Sequence, residues 1–402
     1  MVAGTDGWSF LGENRNWAFI GQMAYSRVDG TRERISRLQQ SPQHYYQRPD
    51  FETVSLDTNR TFLDGYMGRF GLHNIGGNWH FQTALGIISP GFDVNDLGYN
   101  SYGNLINMHV VAGYRWLEPT PWYRHISLYG MTSRNFDFDG NRLFAQYYHS
   151  GTFITLNYIS VNWSIQLTPE GLDLFGTRGG PIIAYPAYAI GFLNASTDSR
   201  KAIMLNCGLA GQFMKDGTYW REFSISGVFR PTSSLRLTLA TSFLDILDRR
   251  QWVANEEDPQ ATYGYHFVFA DIDQDRVSAT LRVDWGITPQ LSLQAYFQPL
   301  LAVGDYTNFK ELSRPKSYAF DPYHFDDSDD ANPDFNSKYF KANVVLRWEY
   351  LPGSILYLVW THDRTNYDRP GRFDFARDLQ SLTKERGDNI FFVKASYMLS
   401  VY

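Results

Sequence analysis

Strict alternation of apolar and polar residues is the feature that most constrains this chain. The final segment, 391–402, has one apolar set of alternate positions and a second set that carries Lys394, Ser396 and Ser400. Because successive side chains of a β-strand point to opposite faces, such a segment forms a strand with one apolar and one mostly polar face. A final strand of this kind is typical of a transmembrane β-barrel, although a soluble sheet can end the same way.

The period of two recurs along the whole chain, and a helical period is nearly absent. The clearest segments are 235–243, 277–287, 291–298 and 340–350, and noisier ones cover 16–28, 61–73, 77–88, 103–116, 124–137, 142–166, 182–195, 201–214 and 218–230. We count roughly 15 strands, many about 10 to 14 residues long, whereas strands of soluble proteins average about 5 or 6. Strand length therefore favours a membrane barrel over a large soluble β-sandwich or propeller.

Composition narrows the class of protein further. Aromatic residues make up 17% of the chain, which is high for a soluble enzyme and fits interfacial girdles. The mean hydropathy is −0.37, and the absence of an uncharged apolar run of about 18 residues excludes a helical membrane protein. The net charge of −6 argues against a nucleic-acid partner. The single cysteine, Cys207, rules out an intramolecular disulfide and a cysteine-based zinc site.

The connections between the predicted strands are of two kinds. Tight turns lie at 231–233, 288–290 and 351–354, and long polar loops lie at roughly 29–60, 168–181, 303–337 and 366–388. Barrels place short turns on the periplasmic side and long loops outside, so we expect these three turns to face the periplasm. The rule loses its register in the first half of the chain, which indicates a miscounted strand there.

Charged residues fall on the polar parity of several predicted strands. In a barrel this parity faces the lumen, where charges tune selectivity or pair across the interior, and on a soluble sheet it faces solvent. Since positively and negatively charged residues occur at similar positions along the predicted barrel axis, we expect them to pair with one another rather than to form a selectivity ring. The lumen-facing candidates are Arg236, Arg282, Asp284, Arg347, Glu349 and Lys394.

Three aspartates, Asp271, Asp273 and Asp275, alternate along one extended segment. They can form an acidic ladder inside a pore, or lie on a strand that projects beyond the bilayer with both faces wet. We favour the second interpretation.

The long loops carry aromatic side chains and carboxylates that could bind a ligand. Their flat rings can stack on a sugar, although such residues are common in this chain. The segment 321–334 holds six carboxylates, which suit calcium, but it lacks EF-hand spacing and we favour a solvated loop. The ligand-loop candidates are Tyr45, Tyr46, Tyr318, Tyr323 and His324, and the calcium candidates are Asp326, Asp327, Asp329 and Asp330. We predict no cofactor.

Five motifs resemble one known family. They lie at 45–50, 89–99, 177–181, 298–306 and 314–318 and read YYQRPD, SPGFDVNDLGY, TRGGP, QPLLAVGDY and RPKSY. In this order, over essentially the whole chain, they resemble the large outer-membrane barrel catalogued as domain of unknown function 5916. That barrel usually follows a domain like a family-9 carbohydrate-binding module.

The resemblance implies a single outer-membrane β-barrel domain over residues 1–402. Family members look longer, with a signal peptide, the sugar-binding-like domain and the first barrel strands ahead of this segment. The first residues here lack the basic and apolar regions of a signal peptide, so we expect either no export or preceding sequence. The predicted fold is therefore an all-β, antiparallel transmembrane barrel with roughly 14–16 strands visible, either closed by these strands alone or completed by first strands ahead of them, as the resemblance implies.

The predicted function is a pore, receptor or surface scaffold in the bacterial outer membrane. The resemblance implies an oligo- or polysaccharide partner, beside outer-membrane lipid and a barrel-assembly machinery that binds the C-terminal strand. The sequence contains no nucleophile elbow, zinc motif, phosphate loop or dinucleotide fingerprint, so we predict no enzymatic activity. The alternatives are a surface-exposed carbohydrate-active hydrolase, by fold-level analogy alone, and a soluble β-rich binding protein.

Overall fold

Strands dominate the computed structural model, which describes residues 1–325, 332–368 and 371–399. The strands are β1 Val2–Leu11, β2 Trp17–Asp29, β3 Phe62–Asn74, β4 Trp79–Ile88, β5 Leu105–Trp116, β6 His125–Phe136, β7 Arg142–Ile154, β8 Ser160–Thr168, β9 Gly171–Asp173, β10 Ile183–Tyr185, β11 Tyr188–Ser196, β12 Ile203–Met214, β13 Tyr219–Thr232, β14 Leu235–Glu257, β15 Tyr265–Gly286, β16 Leu291–Leu312, β17 Phe320–Pro322, β18 Phe335–Leu351, β19 Ser354–Asp368 and β20 Asp388–Ser396. Two helices, α1 Arg32–Gln39 and α2 Phe375–Lys384, complete the described elements. Neither of these two helices is long and apolar enough to cross a membrane.

One sheet of 18 strands contains every strand except the small β9–β10 hairpin. Its long strands pair antiparallel with their neighbours in the chain, from β1 to β8, then β8 with β11 and onward to β16, and finally β16 with β18 to β20. The prediction of an all-β, antiparallel chain is confirmed. Within the described residues, the first strand, β1, pairs with β2 alone, and the last strand, β20, pairs with β19 alone.

The expected strand miscount lies at 142–166. The structure has two strands there, β7 and β8, separated by the turn 155–159. The prediction also missed β1, whose glycine, serine and aspartate residues weaken its alternation. With 142–166 split, successive connections between the long described strands alternate regularly between the two ends of the sheet.

The two ends of the sheet differ, because one carries only connections of up to eight residues and the other carries every longer one, beside the short connections 137–141, 215–218 and 258–264. We call them the turn end and the loop end. The turn end carries the connections 12–16, 75–78, 117–124, 155–159, 197–202, 233–234, 287–290 and 352–353. The loop end carries 30–61, 89–104, 137–141, 169–187, 215–218 and 258–264, and the described parts 313–325, 332–334 and 371–387 of its last two connections. All three tight turns found in the sequence lie at the turn end.

Several strands are longer than their sequence pattern predicts. β14 has 23 residues, and β15 and β16 have 22 each. The predicted loop over 303–337 is wrong in its first part, because β16 continues to Leu312. Leu301 and Val303 are buried there, so neighbouring elements cover this part of the strand.

Buried apolar clusters lie at the loop end. Tyr46, Phe51 and Leu63 form one cluster, and Leu143, Leu174 and Ile182 form a second. Ile183, Phe267 and Phe269 form a third, against which Phe320 of β17 packs. The loops, α1 and the β9–β10 hairpin are thus fixed to the strand ends by apolar packing.

Away from these loop-end clusters, one sheet face presents apolar side chains to its surroundings. Leu193, Leu209, Phe223 and Phe243 lie directly opposite one another on four neighbouring strands, β11 to β14. Their exposed fractions are 46%, 51%, 46% and 40%. This row of exposed apolar residues runs across the strands rather than along one of them, so it forms a band.

Candidate functional site

The structure places all six lumen-facing candidates on one face of the sheet, the face opposite the apolar band. Arg236 lies directly across from Asp284, and the Arg282 guanidinium lies 5.6 Å from the centroid of the Tyr296 ring. The other three belong to the same face. Arg347 and Lys394 are both opposite Tyr357, and Arg347 makes a 3.3 Å ion pair with Glu349. That this face lines a lumen stays a prediction.

A chain of polar side chains on the same face was not found from the sequence. The Gln82 amide lies 3.4 Å from His109 Nε2, and His109 Nδ1 lies 3.0 Å from Asn107 Oδ1. Asn107 Nδ2 donates to Asn135 Oδ1 at 2.7 Å. These residues come from β4, β5 and β6 and lead toward the loop end, where Asn135 is buried. Alternating polar positions on adjacent strands were the available signal, but single polar residues there are indistinguishable from surface ones.

The loop motifs from distant parts of the sequence meet at the loop end. Asp50 Oδ2 accepts a hydrogen bond from the Ile182 backbone N–H at 2.5 Å, and the Lys316 N–H donates to the Ile182 carbonyl at 2.7 Å. The buried His44 ring contacts Asp93 Oδ2 at 3.2 Å and the Pro90 carbonyl at 2.7 Å. Four of the five motifs that carry the family resemblance therefore form, or directly adjoin, one packed assembly.

This assembly contains buried polar atoms without a hydrogen-bond partner among the described residues. They are Arg48 Nε and Nη2, Asp50 Oδ1, Gln47 Oε1 and Asn104 Nδ2. Arg48 is only 4% exposed and packs on the Phe51 ring at 4.5 Å. Burial lowers the pKa of Arg48, opposed mainly by the nearby Asp50 carboxylate. Unpaired buried groups are unfavourable and rare, so this cluster is a feature to explain.

A cavity of about 380 Å³ lies beside the cluster. Its aromatic lining includes Tyr102, Phe175, Tyr185 and Tyr188, and its polar lining includes Asp173 and Gln146. Asp173 Oδ1 accepts a hydrogen bond from the Phe175 N–H at 2.8 Å. Burial raises the pKa of the Asp173 carboxyl. The sequence did not reveal this cavity, because its walls come from segments spread between 102 and 188.

The ligand-loop candidates are not brought together. Tyr45 and Tyr46 are buried in the loop assembly, and Tyr45 lies 6.1 Å from the Phe175 ring at the cavity. The Tyr318 hydroxyl donates to Glu170 at 3.3 Å. Tyr323 lies elsewhere, beside exposed His324. Its hydroxyl donates to Glu256 at 2.5 Å, and this hydrogen bond raises the pKa of Tyr323 to about 12.

The calcium candidates Asp326, Asp327, Asp329 and Asp330 lie outside the described residues. Within 1–325, 332–368 and 371–399, no group of three or more histidine, cysteine or acidic residues is arranged to hold a metal ion.

The three alternating aspartates differ from one another. The interpretation of a strand wet on both faces is wrong at Asp271 and Ile272, which are buried together with the preceding residues 267–270. Asp271 pairs there with Lys310 and, at 3.2 Å, with Arg249. Asp273 is exposed, and Asp275 lies directly opposite Asp245. Covering by β17 and the β9–β10 hairpin, which the alternation does not encode, explains the buried part.

Comparison with known proteins gives one family match. The profile of the family described as "Domain of unknown function (DUF5916)" matches residues 23–402. No curated protein matches the chain. Among solved structures, the chain is similar to a "Bacterial polysaccharide outer membrane secretin", at 9% identity over 83% of this chain and 89% of that one, with a TM-score of 0.32. A likeness at this level carries no argument about function.

Proposed function

We propose that this chain, which belongs to the DUF5916 family of unknown function, is an outer-membrane β-barrel. It acts as a pore, receptor or surface scaffold and performs no chemistry. The observation that carries this proposal is the band of exposed apolar side chains on one face of a long antiparallel meander. Soluble monomers rarely expose apolar patches larger than a few hundred Å², whereas lipid-facing strands require them.

The lengths of the strands support the same proposal. A tilted strand crosses the hydrocarbon layer with about 9 to 11 residues. Most strands of the meander reach this length, and β14, β15 and β16 exceed it by far. In the proposed arrangement, the parts near the turn end span the membrane and the parts near the loop end project beyond it.

The difference between the two ends supports an orientation. Outer-membrane barrels have short periplasmic turns and longer outer loops. We therefore assign the turn end to the periplasm and the loop end to the outside. The polar face with Arg236 and Asp284 then lines the lumen, where charges of both signs pair and a solute passes or docks without reaction.

The proposed partners follow from this arrangement and from the family resemblance. Outer-membrane lipid contacts the apolar band, an oligo- or polysaccharide enters from the loop end, and the barrel-assembly machinery binds the C-terminal strand. The net charge of −6 offers no basis for a nucleic-acid partner. The proposal requires no cofactor.

The test is the behaviour of the purified protein in detergent and on gels. A folded barrel needs detergent to stay in solution, and it migrates differently in SDS with and without boiling, because its closed hydrogen-bonded sheet resists SDS until heated. Protein that is folded, monodisperse and stable without detergent would rule out the membrane barrel.

A further inference from the structure

We propose that the cavity at the loop end binds one pyranose ring of a neutral saccharide. This inference rests on the proposed function, in which the outer loops meet the solute first. It adds the cavity as the binding site and a neutral saccharide as the class of ligand that the cavity accepts.

The size and lining of the cavity suit a small ring. Its volume of about 380 Å³ lies near the lower end of the range for small-molecule sites, about 300–1,000 Å³. Tyr102 and Phe175 are in edge-to-face contact at 5.8 Å, and Tyr185 and Tyr188 are in the same arrangement at 5.8 Å. Flat aromatic walls of this kind pack against the C–H face of a sugar ring.

The charges around the cavity disfavour an ionic ligand. Asp173 in the lining would repel an anion, and the nearby guanidinium groups of Arg48 and Arg250 are already matched by the carboxylates of Asp50 and Asp216. A cation would bind best over a tyrosine face, but the Arg250 guanidinium already lies 4.7 Å from the Tyr185 ring centroid. Arg250 is fixed there by a 2.8 Å ion pair with Asp216, so this position is occupied.

The polar groups of the cavity disfavour a purely apolar ligand. Such a ligand would take Asp173 and Gln146 out of water without replacing their hydrogen bonds, which is unfavourable. Asn104, between the lining residues Gly103 and Leu105, is 5% exposed, and its Nδ2 has no hydrogen-bond partner in the described chain. Hydroxyl groups can donate to the carboxylate and accept from an amide, so a neutral polyhydroxylated ring satisfies both kinds of group.

The first experiment compares matched ligands on the full chain in detergent. Isothermal titration uses glucose, its cationic analogue glucosamine and its anionic analogue glucuronate, with maltose and cellobiose as longer neutral probes. We expect the neutral sugars to bind and the two charged analogues to bind more weakly. Tighter binding of either charged analogue, or no binding of any neutral sugar, overturns the inference.

The second experiment places binding in the cavity. Asp173→Asn keeps an oxygen that can accept from the Phe175 N–H but removes the charge, and it should weaken binding about tenfold or more. Tyr102→Ala removes one wall and should weaken binding comparably. Its matched control is Tyr99→Ala, in the same connection but outside the lining, which should bind as the parent does. Unchanged binding by both cavity variants contradicts the assignment.

The gel-migration assay on the same preparations separates the two proposals. A heat-dependent shift without sugar binding overturns the cavity assignment and leaves the barrel. Cavity-dependent binding without the shift overturns the barrel and leaves the cavity assignment.

Discussion

At the residue scale, Gly65 shows how closely the loop end is packed. A Cβ at Gly65 would lie against backbone atoms of Gly91 and Phe92, which cannot move aside as a flexible side chain could. We expect Gly65→Ala to destabilise the fold by about 1–3 kcal/mol, as overpacked sites do. Gly98→Ala is the control, because no described heavy atom lies within 4 Å of its Cβ position. The temperature at which the folded gel band disappears measures both, and equal temperatures would contradict the prediction.

Also at the residue scale, His266 should make the stability of the loop end depend on pH. Its Nδ1 faces Glu311 at 2.5 Å and its Nε2 faces Asp258 at 3.0 Å, and these carboxylates, Glu311 foremost, raise the pKa of His266. The protonated ring is thus favoured in the folded state. Its contribution is fully present below the unfolded pKa of 6.5 and is lost as pH rises through the raised folded pKa.

The measurement for His266 is the unfolding temperature of the parent and of His266→Gln at a series of pH values. The difference between the two proteins should be largest below pH 6.5 and should shrink as pH rises. His125→Gln, at the turn end, serves as the control. A difference that stays constant across the series would show that His266 contributes through packing alone.

At the scale of elements, the alternation predicted the long strands well and the short elements poorly. The segments 235–243 and 340–350 lie within β14 and β18, because one face of each strand is continuously apolar. The pattern could not separate β7 from β8, since the turn 155–159 has no glycine or proline to interrupt it. The helices and the β9–β10 hairpin are short elements held by contacts with distant loops, which a local pattern does not contain.

Arginine substitutions at two adjacent residues of β14 test which face of the sheet contacts lipid. Leu239 lies on the apolar face and is 53% exposed, and its neighbour Ala240 lies on the polar face. In a membrane, Leu239→Arg should destabilise the folded state by up to about 2–4 kcal/mol, with Ala240→Arg much milder. On a water-exposed sheet, Leu239→Arg would change stability by only about 0.5 kcal/mol or less. Urea unfolding in lipid vesicles measures both variants, and equal effects would contradict a lipid-facing role for Leu239.

At the scale of the whole molecule, the sheet could be predicted from the sequence, but the loop-end cavity could not. Alternation reports which face a side chain occupies, so six charged candidates were found to share one sheet face. It does not report which loops meet. The cavity requires Tyr102, Phe144 and Phe175 to converge from separate connections and strands, and only the order and register of the strands bring them together. Two of the five ligand-loop candidates, Tyr323 and His324, consequently belong to a different part of the loop end.

The two-ended architecture leads to a prediction for the intact molecule. A short epitope inserted in the connection 258–264, at the loop end, should bind antibody on whole cells, because this end faces outward in the proposed orientation. The same epitope in the turn 233–234, at the other end of β14, should bind only after the outer membrane is permeabilised. Equal labelling of the two epitopes on intact cells would contradict the orientation, and reversed labelling would place the loop end, with its cavity, in the periplasm.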